Sequence, residues 1–129
     1  MSTSLWPNFA GLAPPRGTME MLNGAAGDIS AQTNGAIEFY VDVVGVGVSG
    51  VIQDIRYNCY LRVAKNNYMH LLFRVTTPVA SPFPAVAVTP EGERYSLLED
   101  EEELRDAIEK ILQRERTKEV VLYLLKTVS

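Results

Sequence analysis

The 129-residue chain has one cysteine, Cys59, and one histidine, His70, the two residue types best suited to nucleophilic catalysis and metal binding. A structural zinc site needs about four nitrogen or sulfur ligands, so the chain cannot build one alone. Both residues lie in segments that alternate apolar and polar side chains, which is typical of β-strands. In the strand register derived below, Cys59 faces Phe73 inside the core, and His70 lies opposite Arg62 on the other face of the sheet. The sequence therefore predicts no Cys–His pair, and we assign no catalytic or metal-binding residue.

The segment Gly45–Gly50 reads Gly-Val-Gly-Val-Ser-Gly and matches the G-x-G-x-x-G pattern of dinucleotide-binding loops. In such loops the glycines open a helix that holds the pyrophosphate, and an acidic residue follows about 20 positions later. Here residues 51–57 are β-rich, and no acidic residue occurs between Asp54 and Glu91. We therefore expect a bulged connection between two strands, and no nicotinamide or flavin cofactor.

The acidic run 99–103 resembles a divalent-metal site in composition only. Successive helical residues point about 100° apart, so these carboxylates diverge and cannot share one ion. Asp100 followed by Glu103 instead matches a helix capping box. The sequence is also compatible with catalysis by carboxylates alone, for instance Asp42 with Glu38, but no feature of the sequence favours it.

Charge is unevenly distributed along the chain. Residues 1–90 carry five acidic and five basic side chains, whereas residues 91–129 carry eleven and seven. No basic stripe is present, which disfavours nucleic-acid binding. No apolar run approaches the roughly 18 residues that a membrane helix requires, so we expect no membrane attachment. A single cysteine fits a reducing compartment, and we expect a cytoplasmic protein.

Residues 1–15 form an uncharged apolar arm ahead of a single α+β domain at 16–129. The arm carries Trp6 and Phe9, and Pro14 with Pro15 ends it. We expect these aromatic side chains to pack on the chain's own domain or to contact a partner.

Three alternating runs, 36–44, 55–64 and 68–75, predict a sheet in which consecutive strands are antiparallel. The three-residue loop 65–67 sets the register of the second hairpin. That register pairs Tyr57 with Val75, Cys59 with Phe73, Leu61 with Leu71, and Val63 with Met69. It leaves four apolar side chains on the outer face, and we expect them to form a continuous interaction surface: Tyr40, Val44, Tyr60 and Leu72.

The remaining elements complete an α+β fold. Apolar spacing predicts a helix from an N-cap at Thr18 to about residue 33, with a face formed by Met19, Leu22, Ala26 and Ile29. Short strands follow at 85–89 and 94–98, then a helix from Asp100 and a last helix capped by Thr117. Residues 119–125 would also suit a buried strand. We expect a four- to five-stranded antiparallel meander with all helices packed on one face.

These features favour a small, soluble, non-enzymatic protein that acts by protein–protein interaction. Accessory, chaperone-like, inhibitor, immunity and antitoxin proteins are the classes with this size and charge, by analogy only. We expect a protein partner of unknown identity and a homodimer. The alternative is a small-ligand-binding protein or enzyme with a pocket between sheet and helices.

Overall fold

A computed structural model of the chain describes residues 17–127. The elements are, in order, α1 (Thr18–Gln32), β1 (Ile37–Val48), β2 (Val51–Val63), β3 (Met69–Pro78), β4 (Ala85–Val88), β5 (Arg94–Leu98), α2 (Glu101–Gln113) and α3 (Glu115–Lys126). The strands form one antiparallel sheet in the order β1-β2-β3-β4-β5. The predicted α+β meander with one N-terminal and two C-terminal helices is confirmed.

One hydrophobic core joins the sheet to the helices. Helix α1 packs on β1, α2 on β4 and β5, and α3 on β1 and β2. The side chains that anchor this layer are fully buried: Leu22, Ile37, Leu72, Phe73, Leu104, Ile111 and Leu124. Helix α3 confirms the helical interpretation of residues 119–125. No helix within residues 17–127 is long and apolar enough to cross a membrane.

Helix α1 differs from its predicted face and cap. Gly17 is the N-cap residue, and Thr18 lies buried in the first turn. Met21 takes the core position expected for Met19, which is exposed. The helix ends as predicted, because Asn34 and Gly35 adopt positive φ values of 52° and 79°.

The predicted register of the β2–β3 hairpin agrees with the structure from Tyr57 to Cys59 and differs from it between Tyr60 and the loop. Asn67 has a φ of 59° in the loop, and Cys59 pairs with Phe73 as predicted. The next pair joins Tyr60 to Leu71, so Leu72 is an extra residue at a β-bulge. Beyond the bulge every side chain of β3 changes face relative to the prediction, because side chains alternate with a period of two.

Leu72 therefore does not belong to the outer face. Its side chain is 1% exposed and packs in the core beside Phe73. The bulge also pairs His70 with Leu61 and Arg62 with Met69, in place of the predicted His70–Arg62 pair.

The C-terminal helices begin at polar caps. The Asp100 carboxylate accepts a hydrogen bond of 2.8 Å from the Glu103 amide, and the Glu103 carboxylate accepts one from the Glu99 amide. This is the predicted capping arrangement. The N-cap of α3 is Arg114 rather than Thr117. The Thr117 hydroxyl lies within the first turn and donates to the Ile111 carbonyl at 2.7 Å.

Candidate functional site

The β1–β2 hairpin extends beyond the rest of the sheet. The last pair between β2 and β3 joins Asp54 to Pro78, and the Val79 amide donates to the Gln53 carbonyl. Past this point, β1 is the only described strand beside β2, and β1 lies at the edge of the sheet formed within residues 17–127. We call residues 43–53 the hairpin tip, and no charged residue occurs in it.

The glycines of the G-x-G-x-x-G segment shape this tip. Ser49 and Gly50 both have positive φ, at 55° and 79°, which is the two-residue turn favoured in β-hairpins. The register shifts between Val46 and Gly47, where Gln53 of β2 is the extra residue of a bulge, and a Cβ on Gly47 would lie 1.7 Å from the Val51 carbonyl oxygen. The predicted bulged connection between two strands is confirmed.

The hairpin tip exposes aliphatic side chains on both of its faces. Five of them are between 40% and 66% exposed: Val43, Val44, Val48, Val51 and Ile52. Ile52 lies over Gly45, where a Cβ would come within 2.8 Å of the Ile52 Cδ1. Monomeric proteins seldom expose a large contiguous apolar patch, and such patches mark interaction sites.

Beside the tip, the outer face of the sheet carries an aromatic and charged cluster. The ring centroids of Tyr40 and Tyr60 are 6.3 Å apart, and the Arg62 guanidinium lies 5.0 Å from the Tyr40 centroid. Arg62 also donates to the Glu38 carboxylate, with 3.0 Å from Nε. The cation–π contact and the ion pair together hold Arg62 beside the Tyr40 ring. An open groove of about 450 Å³ runs along it.

The centre of the outer face is polar rather than apolar. The Arg74 Nε donates to the Asn58 Oδ1 at 2.7 Å. The Arg56 Nε is buried and has no hydrogen-bond partner among the described residues. Tyr40, Tyr60 and Val44 are on this face as predicted, but with Leu72 in the core they do not form the continuous apolar patch that the sequence predicts.

Cys59 and His70 lie in settings unlike those of a catalytic pair. Cys59 is fully buried, and burial strongly raises the pKa of its thiol. His70 pairs with Leu61 and so lies on the helix-covered face, which makes the predicted separation of the two side chains on opposite faces wrong. Burial lowers the pKa of His70, as do Arg116 and Arg114, while Glu91 raises it. A thiol with a raised pKa is a poor nucleophile.

A second groove lies where α1 begins, beside the ends of β2 and β3. Its volume is about 240 Å³, it is open to solvent, and its lining includes Thr18, Ile55, Tyr57 and Pro82. Ligand pockets usually measure about 300–1,000 Å³. Within residues 17–127 no three histidine, cysteine, aspartate or glutamate side chains converge as metal ligands would.

Sequence reasoning found part of this surface and missed part. Trp6 and Phe9 lie outside the described residues. The exposed aliphatic side chains Val48, Val51 and Ile52 were not predicted. The signal that marks them is the uncharged run at 43–53, bounded by Asp42 and Asp54.

Comparisons with protein-family models, with curated proteins and with solved structures found no match for this chain.

Proposed function

We propose that this chain is a non-enzymatic, cytoplasmic protein that acts by protein–protein interaction through the hairpin tip and the adjoining outer face. Its class is that of small accessory proteins, inhibitors, chaperone-like proteins and immunity or antitoxin proteins. The same surface joins two copies of the chain in a homodimer. A two-fold dimer is the commonest assembly and needs only one self-complementary surface.

The observation that carries this proposal is the exposure of the hairpin tip. A hairpin extended beyond its sheet contributes little to the core of its own domain, and here it holds Val48 and Val51 more than 60% exposed. Each buried methylene group contributes about 0.8 kcal/mol, so covering the tip with another protein surface is favourable.

The ordered charges beside the tip suit a polar rim. Arg62 and Glu38 are already paired with each other, and Arg74 is bonded to Asn58. A polar rim around an apolar centre is the usual anatomy of an interface.

Sedimentation velocity at micromolar concentration tests the proposal with two matched lysine variants. Val51→Lys places a charge on the tip, and Leu122→Lys places one on α3, at a position with the same 62% exposure. We expect the natural chain and Leu122→Lys to sediment as dimers and Val51→Lys as a folded monomer. A monomeric natural chain, or two equally dimeric variants, would show that the tip is not an interface.

A further inference from the structure

We infer that two copies of this chain pair through the free edges of their β1 strands, antiparallel, with Val44 of one copy opposite Val44 of the other. This inference rests on the self-association proposed above and specifies its geometry. The pairing would continue the five-stranded sheet of one copy into that of the second.

The direction of the backbone groups along β1 follows from two hydrogen bonds. The Ala64 amide donates to the Ala36 carbonyl at 3.1 Å, whereas the Val63 amide donates to the Tyr68 carbonyl, on the side away from β1. In an antiparallel ladder, both backbone groups of a residue point to the same side and alternate along the strand. The even-numbered residues of β1 therefore bond to β2, and the odd-numbered residues point their N–H and C=O groups outward.

Only the first of these outward positions is satisfied within the described chain. The Thr33 hydroxyl, at the end of α1, accepts from the Ile37 amide at 3.1 Å and also lies 3.3 Å from the Ile37 carbonyl. The next outward positions have no such partner among residues 17–127: Phe39, Val41, Val43 and Gly45. This edge thus offers unpaired donors and acceptors in a row, a template for another strand.

The chemistry of the edge favours a strand over lipid. The tip is apolar on both faces, but lipid supplies no hydrogen-bonding groups, and each unpaired backbone group in hydrocarbon costs several kcal/mol, or about 2–7 by transfer measurements. The arm at residues 1–15 is a poor strand, because Pro7, Pro14 and Pro15 lack amide hydrogens. A second copy of β1 supplies both the hydrogen bonds and the apolar faces.

Charge selects the register of that pairing. Centring the pair on Asp42 would set the two Asp42 carboxylates against each other, and like charges directly opposite are destabilising. Centring it on Val43 would oppose both Glu38 and Asp42 to valines of the second copy. Centring it on Val44 opposes only one carboxylate, that of Asp42, to a valine, Val46. It also brings Val44 against Val44 and Tyr40 against Val48, which are favourable cross-strand pairs.

Disulfide trapping tests the register directly. Val44 does not bond outward, so the two Val44 Cα atoms would be about 4.5 Å apart across the interface, within the span that a disulfide bridges. Two copies of Val48 would be about 26 Å apart, at eight residues of about 3.3 Å each. We expect Val44→Cys to form a covalent dimer under mild oxidation and Val48→Cys to stay unlinked. The natural chain, whose one cysteine is buried, serves as the blank.

The outcomes separate this inference from the proposed function. If the natural chain sediments as a dimer but Val44→Cys does not link, or Val48→Cys links equally well, the β1 edge pairing is wrong and self-association through the tip still stands. A monomeric natural chain overturns both. Flotation of the natural chain with phosphatidylcholine vesicles would place the tip in lipid and overturn the strand pairing as well.

Discussion

At the scale of single residues, Cys59 is the sharpest probe of the core. Its thiol is fully buried beside Phe73, so a reagent in solution cannot reach it. Burial also raises the pKa of the thiol, so little of the reactive thiolate is present at neutral pH. We expect a thiol reagent at neutral pH to label the native chain only as fast as the protein opens. Leu122→Cys, at a 62% exposed position of α3 outside the proposed interface, provides a fast-reacting reference. Rapid labelling of Cys59 in the natural chain would contradict its burial.

His70 makes stability depend on pH. Burial lowers its pKa below the usual 6.5, and Arg116 acts in the same direction. The unfolded chain then binds the proton more tightly than the folded one, so stability is full above pH 6.5 and is lost as the pH falls through the lowered pKa. Urea unfolding above pH 6.5 and again well below it should show this loss in the natural chain and a smaller one in His70→Gln, which does not titrate at this position. Equal losses of unfolding free energy in the two proteins would mean that groups other than His70 cause the pH dependence.

Leu72 gives a matched pair of truncations. Because its side chain is 1% exposed, Leu72→Ala should cost about 2–5 kcal/mol of unfolding free energy. Leu122→Ala, at a 62% exposed position, should change it by less than about 0.5 kcal/mol. Chemical denaturation measures both. Similar small losses would mean that Leu72 faces solvent, as the sequence alone predicts.

At the scale of elements, the strands and helices were predictable because their apolar periods are long and regular. The hairpin register was predictable only up to Cys59, since Leu71 and Leu72 are both apolar and the alternation does not show which of them is the extra residue. A bulge is decided by packing between elements that are distant in the sequence, and the local pattern of apolar residues carries no information about that packing. The exposed tip was not predicted for a similar reason. Its valines look like core residues, and only the structure shows that β3 ends before them and that no other described element covers them.

The glycines of two elements have opposite roles. A Cβ on Gly47 would overlap the Val51 carbonyl, whereas one on Gly27 meets no atom within 4 Å. Gly47→Ala should therefore lower the unfolding free energy by about 1–3 kcal/mol, the usual cost of overpacking. Gly27→Ala, on the exposed side of α1, should raise it by up to about 1 kcal/mol. Thermal unfolding of both variants checks the signs, and a stabilised Gly47→Ala would contradict the bulge.

At the scale of the whole molecule, the helix-covered part of the sheet is packed and the hairpin tip is exposed. The three helices cover the inner face of the sheet, and the hairpin tip extends away from them without a charge. The acidic surplus lies in residues 91–129, a segment that includes β5, α2 and α3 and no part of the tip. Net negative charge away from the tip keeps the molecules apart in general while leaving one apolar surface free to associate.

Either the arm at residues 1–15 or a second copy of the chain could bury that apolar surface. If the arm supplied the contact, deleting residues 1–13 would release the dimer or expose the tip. If β1 edges pair, the paired residues lie between Tyr40 and Val48, and the deletion leaves them in place. We therefore expect the shortened chain to sediment as a dimer, and Val44→Cys in that background to link as it does in the full chain.

Sedimentation and disulfide linking of the shortened chain must be combined to identify the interface, because either result alone has a second explanation. A shortened chain that is dimeric but unlinked would dimerise through another surface. A shortened chain that is monomeric would make the arm part of the interface. A dimer that links at position 44 with or without the arm pairs through the backbone of β1. The outward backbone groups of β1 after Ile37, whose amide donates to the Thr33 hydroxyl, have no such partner within residues 17–127.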